Sequence, residues 1–169
     1  MDFCIEQAAL ADAPAVMELI TQCMREMRAN DIDQWDDIYP NLPVVEAGAR
    51  AGSLYVIRQE GQVIASICLD EEQPEEYRPL NWQVTEGTAL VIHRLCVHPE
   101  WRRHGLARRL MEFAESLAAE RGYGSIRLDS YTGNPRAQAL YEGRGYQRVG
   151  QVRFPRRRFP FDCFEMRIG

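Results

Sequence analysis

The hydrophobic positions of this chain change period several times along its length, and each change marks an element. Val16, Leu19, Ile20, Cys23, Met24 and Met27 recur at steps of three and four. The segment after Asp12-Ala13-Pro14 therefore reads as an amphipathic helix, with Asp12 as N-cap and Pro14 in the first turn. A second stripe, Leu106, Leu110, Phe113, Ala114, Leu117 and Ala118, predicts a helix over Gly105–Arg121 that Gly122 ends. Pro43–Ala51 and Pro135–Arg144 are shorter helical segments, the latter stopped by Gly145. Shorter apolar runs read as strands: Asp2–Gln7, Leu54–Arg58, Val63–Leu69, Thr88–Val97, Ser125–Tyr131, Gln147–Arg153 and Phe161–Ile168. Glu60-Gly61 joins the second and third as a hairpin. Thr88–Val97 is apolar at successive positions, which places it centrally in a sheet. Asn30–Asn41 and Asp70–Glu86 are polar connections. The order β-α-α-β-β-β-α-β-α-β-β is that of a mixed α/β sheet, neither doubly wound nor all-antiparallel.

Composition narrows the function classes. A chain of 169 residues, 46% apolar, is expected to form one domain over 1–169 with a substantial core. Its net charge of −5 disfavours nucleic acid as a partner. It has no signal-like leader and no apolar run of about 18 residues, so no membrane partner is expected and a cytoplasmic location is. Cys4, Cys23, Cys68, Cys96 and Cys163 are odd in number and scattered, as buried free thiols are. No metal-ligand spacing occurs, so no metal is expected. All 20 basic residues are arginine, the side chain suited to planar phosphate contacts.

The first chemical signal is Val97–Arg109. An apolar strand stops at His98-Pro99, a basic turn with Gly105 follows, and a helix begins. Backbone N–H groups at a helix start, with the helix dipole behind them, can hold a diphosphate. Gly105 and Ala107 let the backbone come close, and Arg102, Arg103, Arg108 and Arg109 supply charge. The chain has neither a P-loop nor a G-x-G-x-x-G dinucleotide fingerprint. A solvated basic helix start has the same local pattern.

Arg102-Arg103-His104-Gly105-Leu106-Ala107 resembles the Arg/Gln-x-x-Gly-x-Gly/Ala signature of the GNAT superfamily of acyl-CoA N-acyltransferases. Arg94-Leu95-Cys96-Val97-His98-Pro99 is similar to that family's preceding strand. Asn134 to Tyr146 resembles its Asn-x-x-Ala-x-x-Leu-Tyr-x-x-x-Gly-Phe/Tyr segment, with Ala137, Leu140, Tyr141 and Gly145 in place. The resemblance implies acetyl-CoA as acyl donor. It implies that Thr88–Val97 and Ser125–Tyr131 splay, and that the backbone of Leu95, Cys96 and Val97 lies along the pantetheine. It implies that backbone amides of Arg103, Gly105, Ala107 and Arg108, within the turn that also holds His104 and Leu106, take the diphosphate. It also implies that Asn134 bonds the pantetheine or a water.

Acyl transfer to an amine needs a base for the ammonium and an acid for the leaving thiolate. Tyr141 matches the family tyrosine that faces the thioester sulfur and is the candidate acid. His93, two residues before Leu95 and on the same face by strand alternation, is the candidate base; a satisfied core histidine fits the position equally. Glu86 is a reserve. The acceptor is expected to be the primary amine of a small molecule. A polypeptide N-terminus or lysine, and a non-catalytic acyl-CoA-binding module, are the alternatives. Asp31, Asp33, Asp36 and Asp37 with Trp35 and Tyr39 would suit a cationic amine, and Trp35, Tyr39 and Glu86 are the candidate acceptor residues. Arg156, Arg157 and Arg158, at the tip of the closing hairpin, would instead suit an acidic acceptor or a second subunit of a homodimer.

Overall fold

The computed structural model describes all residues, Met1–Gly169. The elements are β1 (Ile5–Gln7), α1 (Ala13–Ala29), α2 (Leu42–Arg50), β2 (Leu54–Gln59), β3 (Gln62–Asp70), β4 (Ala89–Val97), α3 (Leu106–Glu120), β5 (Ser125–Tyr131), α4 (Pro135–Gly143), β6 (Gln147–Val152) and β7 (Phe161–Arg167). Short 3₁₀ turns at Leu10–Asp12, Glu75–Tyr77 and Pro99–Trp101 complete the list. The element order is the one the sequence pattern predicts. The strands form one mixed sheet in the order β1-β2-β3-β4-β5-β7-β6. No helix is long and apolar enough to cross a membrane.

The chain packs as two compact units built from discontinuous segments. The first comprises Met1–Asp31, Trp35–Leu69 and His93–Phe113; the second comprises Ile32–Gln34, Asp70–Ile92 and Ala114–Gly169. The strand β4 and the helix α3 each run from one unit into the other.

In the first unit, α1 buries the stripe seen in its sequence: Val16, Leu19, Ile20, Cys23, Met24 and Met27. The hairpin β2–β3 turns through Glu60 and Gly61 at φ of 50° and 81°. Two successive positive φ values are what a two-residue turn needs to match strand twist. Asp12 precedes α1 as expected but does not cap it with its side chain. The 3₁₀ turn Leu10–Asp12 runs straight into the helix, and Asp12 instead accepts from the Ala9 N–H at 2.7 Å and pairs with Arg58 at 2.7 Å. Asn41 is the side-chain cap of α2, accepting from Val44 N.

In the second unit, β5 pairs antiparallel with β7 along its whole length, Ser125↔Arg167 to Tyr131↔Phe161. Its parallel register with β4 runs only from Ala89↔Ser125 to Val91↔Arg127, at the start of both strands. Tyr77, Val91, Tyr131, Val152, Phe161 and Cys163 form the core on one face of this unit, with Trp82, Phe154, Leu80 and Ile32 against it. The connection Asp70–Glu86, polar in sequence, thus contributes a fully buried tyrosine. It is anchored by a buried carboxylate: Glu165 accepts from Gln83 N at 2.8 Å and Val84 N at 3.1 Å, and pairs with Arg127 Nε at 3.3 Å. Arg127 in turn lies 4.4 Å over the Trp82 ring and donates to Val84 O.

Removing one partner of a buried ion pair strands the other charge. Glu165→Ala is expected to lower stability by about 3 kcal/mol or more, read as a fall in urea midpoint. Glu165→Gln, which keeps an acceptor for the two amides, should lose less.

Candidate functional site

β4 is buried over Ala89–Ile92 and half-buried from His93 to Leu95. Arg94, between the candidate base and Leu95, has φ of 50°, a left-handed conformation rare for a side-chain-bearing residue. The regular alternation that would set His93 on Leu95's face is therefore interrupted at Arg94. Arg94 Nη1 donates to the Tyr39 hydroxyl at 2.9 Å and its guanidinium lies 6.0 Å from that ring's centroid. The end of the strand is tied to α1, where the Cys23 thiol donates to Val97 O at 3.3 Å. Cys96 is buried with its sulfur 3.3 Å from Ser66 Oγ. Four of the five cysteines are buried, only Cys4 is exposed, and all are free thiols.

His98 ends the strand, and its Nδ1 accepts from the Glu100 N–H at 3.2 Å to cap the Pro99–Trp101 turn. Arg103 and Gly105 then both take positive φ, 65° and 73°, immediately before α3. Alternation of this kind turns successive backbone N–H groups toward one side and forms an anion-binding concavity. The first intrahelical bond runs from Arg109 N to Gly105 O at 3.0 Å. The amides ahead of it in the first turn, those of Leu106, Ala107 and Arg108, have no acceptor within the helix. A Cβ at Gly105 would meet nothing within 4 Å, so its φ, not crowding, is what requires glycine. The turn is pinned by His104, whose Nδ1 lies 2.9 Å from Arg102 O and 3.1 Å from Trp101 O, and so carries the proton.

The arginine charges are unevenly available. Arg102 is paired with Glu26 of α1 through both terminal guanidinium nitrogens, Nη1 and Nη2, the Nη2 bond at 2.8 Å. Arg108 pairs with Glu112 at 2.9 Å and Arg109 with Asp2 at 3.3 Å. Arg103 makes no ion pair and is the turn's uncommitted cation.

In the second unit, Asn134 caps α4, accepting from Ala137 N at 3.4 Å and donating from Nδ2 to Gln34 Oε1 at 2.9 Å. Tyr141, about two turns later, is 7% exposed and packs on Tyr146 and Phe164. Burial pushes its phenol pKa well up, and the charge of Asp129 adds to the effect. Tyr141 is therefore protonated at neutral pH. The same helix is fixed from below by Gln138 Nε2, which donates to Ser130 O at 3.1 Å.

The acidic loop is largely committed within the protein. Asp36 accepts from the N–H groups of Ile38 and Tyr39, and Asp37 pairs with Arg28 at 3.1 Å. Asp33 accepts the Tyr131 hydroxyl and the Arg158 N–H, and Arg157 donates to its carbonyl. Two of the hairpin-tip arginines thus grip this loop. Trp35 is 8% exposed and belongs to the core, whereas Tyr39 is 39% exposed. Glu86 is exposed in the loop before β4, with its carbonyl packed against Gly124. Met17, Thr21, Arg25, Asp36, Asn41 and Leu42 help line a cavity of about 380 Å³ beside α1.

Strand, left-handed basic turn and helix, followed by the capped helix with its buried tyrosine, are one family's arrangement. The acetyltransferase (GNAT) family model matches residues 13–146. The chain belongs to the GNAT family. A GNAT structure from Streptococcus agalactiae superposes with a TM-score of 0.83 over 99% of this chain and 95% of that one, at 22% identity. YncA of Salmonella typhimurium, determined with acetyl-CoA, superposes at 0.72 over 100% of this chain and 95% of that one, at 16% identity. The uncharacterized N-acetyltransferase YesJ of Bacillus subtilis is 21% identical over 145 residues, 85% of this chain and 81% of its own. As a GNAT member the chain is an acyl-CoA-dependent acetyltransferase.

Among the candidate residues of this GNAT chain, the first unit gathers His93, Leu95, Cys96, Val97 and the turn Arg102–Arg108. The second gathers Asn134, Ala137 and Tyr141. The sequence reading missed Glu26, which neutralises Arg102, and Tyr77 with Asp129. Two rings, Tyr77 and Trp82, in an otherwise polar connection were the available signal for Tyr77.

Two outcomes test this geometry. Gly105→Asn should be more stable than Gly105→Ala by about 1 kcal/mol, since asparagine tolerates left-handed φ better, as thermal unfolding would show. At Asp33, burial raises the pKa, but hydrogen bonds from Tyr131 and Arg158 N–H outweigh it and the net shift is downward. Its contribution to stability is present above the unfolded carboxylate's pKa and is lost as pH falls through the lower, folded one. Asp33→Asn should therefore unfold more easily than the native chain at neutral pH, with the gap closing in acid.

Proposed function

We propose that this chain is an acetyl-CoA-dependent N-acetyltransferase that passes its acetyl group directly to the primary amine of a small molecule. The observation that carries the reading is the pair of left-handed residues, Arg103 and Gly105, that opens the head of α3 to an anion. The amides of Arg103, Gly105, Ala107 and Arg108 take the diphosphate there, with Arg103 supplying side-chain charge. The backbone of Leu95, Cys96 and Val97 serves the pantetheine arm, and Asn134 and Ala137 open the helix that carries the acid.

An alkyl ammonium has a pKa of about 10.4, so its deprotonation at pH 7 costs roughly 4.6 kcal/mol. His93 accepts that proton, through water or directly. The amine nitrogen then attacks the thioester carbonyl carbon, the C–N bond forms and the C–S bond breaks. The departing thiolate takes the proton of Tyr141, which burial has kept on the phenol, and the second N–H proton of the attacking nitrogen returns to the Tyr141 oxygen as the amide forms, so one net proton leaves with His93. No electron donor or metal enters this balance.

Tyr141→Phe is expected to lower kcat by about 10²-fold or more while the KM for acetyl-CoA stays close to native; a native kcat with chemistry rate-limiting would remove the assignment. Thiol release from acetyl-CoA over a panel of primary amines and a panel of peptides tests the acceptor. Turnover with amines is expected. Turnover with peptides alone moves the acceptor to polypeptides, and acetyl-CoA binding without turnover on either makes the chain a binding module.

A further inference from the structure

Two thiol side chains of the first unit take no part in the chemistry proposed above. Cys23 belongs to the buried stripe of α1, and Cys96 is the next-to-last residue of β4. The Cys23 thiol donates to Val97 O at 3.3 Å, so its sulfur sits at the backbone beside Cys96. The Cys96 sulfur lies 3.3 Å from Ser66 Oγ of β3. The two cysteine side chains are also within hydrogen-bond reach of one another. Cys23, Ser66 and Cys96 all lie in the first unit.

The pair is chemically asymmetric. The hydrogen bond from Cys23 lowers the Cys96 pKa, and that from Ser66 and the charge of Arg94 add to it, against the opposing effect of burial. Cys23 moves the other way, raised by its hydrogen bond to Cys96 and by burial. A thiolate therefore forms on Cys96 first, with a protonated thiol beside it. That is the arrangement of a nucleophilic cysteine and its resolving partner. Cys23 and Cys96 are only 4% and 7% exposed. Such enclosure suits a small oxidant and hinders a bulky one such as oxidised glutathione.

We propose that Cys23 and Cys96 are a peroxide-responsive pair whose disulfide ties α1 to β4 and disturbs the strand end that serves acetyl-CoA. The second half of the inference rests on the reading of Leu95, Cys96 and Val97 as the pantetheine strand. The Cys96 thiolate attacks one oxygen of hydrogen peroxide. The S–O bond forms, the O–O bond breaks, and the released hydroxide joins the proton lost from Cys96 as water. The Cys23 sulfur then attacks the sulfenic sulfur of Cys96. The S–S bond forms, the S–O bond breaks, and the oxygen leaves as water with the Cys23 proton. Two thiols give up two electrons in all, and one peroxide is reduced to two waters. The disulfide carries no S–H, so Val97 O loses the donor that Cys23 supplied. A dithiol reductant restores both thiols.

The full chain with Cys4→Ser, which removes the exposed thiol, is treated with hydrogen peroxide and digested without reduction. Mass spectrometry should find the Cys23 and Cys96 peptides joined, and the intact protein lighter by two hydrogens. Acetyl-CoA affinity, measured at equilibrium, should fall at least about threefold on oxidation and recover with dithiothreitol. Adding Cys23→Ser makes the cross-link impossible, and peroxide should then leave acetyl-CoA affinity where it stood. Should that variant fail to fold, the peptide map of the chain that keeps Cys23 decides. Cys96 recovered unlinked, or carried straight to the sulfinic acid, overturns the pair. A cross-linked protein with unchanged affinity overturns the coupling to the donor strand. A reduced protein that does not bind acetyl-CoA overturns the transferase reading instead, while the cross-link stands or falls on its peptide map.

Discussion

One residue in a conformation its side chain disfavours governs the chemistry-bearing half of β4. Arg94 sits at φ of 50° in the middle of a strand, at a cost of roughly 1–2 kcal/mol for a residue with a Cβ. The surroundings hold it there. Its guanidinium is bonded to Tyr39, and the strand beyond is held by the Cys23 thiol on Val97 O and by the His98 amide on Ile64 O. The break interrupts the strand's regular alternation between His93 and Leu95. Strain of this sort persists only where neighbours over-determine it, and it concentrates at functional segments. The turn at Arg103 and Gly105 takes positive φ again a few residues later, immediately before α3.

Charge is arranged by commitment as much as by composition. The basic turn looks like a run of cations, yet Glu26, Glu112 and Asp2 neutralise Arg102, Arg108 and Arg109. The exposed pairs among these contribute little to stability, because solvent screens them. Their consequence is that one cation of the turn, Arg103, stays outside any ion pair. The acidic loop behaves likewise. Asp33, Asp36 and Asp37 order the loop and the closing hairpin, which removes them as a general attraction for amines. Glu165 plays the equivalent role in the second unit, converting a polar connection into a fixed wall that delivers Tyr77.

The order of elements and the bounds of most of them were legible in the sequence, because periodicity records which face is buried. The stripe of α1 and the Glu60-Gly61 hairpin needed no tertiary information. The strand–turn–helix and the Asn134–Tyr141 segment were legible too, since their spacing follows from helix geometry and glycine's conformational freedom. His93's facing was not legible, because alternation assumes an unbroken strand. Trp35 was misleading: an aromatic in an acidic loop looks like a binding residue, whereas burial made it core.

By itself, then, the sequence determined the element order and the family, and it singled out the glycine turn and the Asn134–Tyr141 segment. These depend on local spacing, and local spacing is written in the chain. Only the tertiary structure decided which charged side chains pair with one another. Asp33 lies 98 residues from Tyr131, Glu26 lies 76 from Arg102, and Tyr77 lies 52 from Asp129. Pairings over such separations are fixed by how strands and connections stack, and no local pattern of residues carries them.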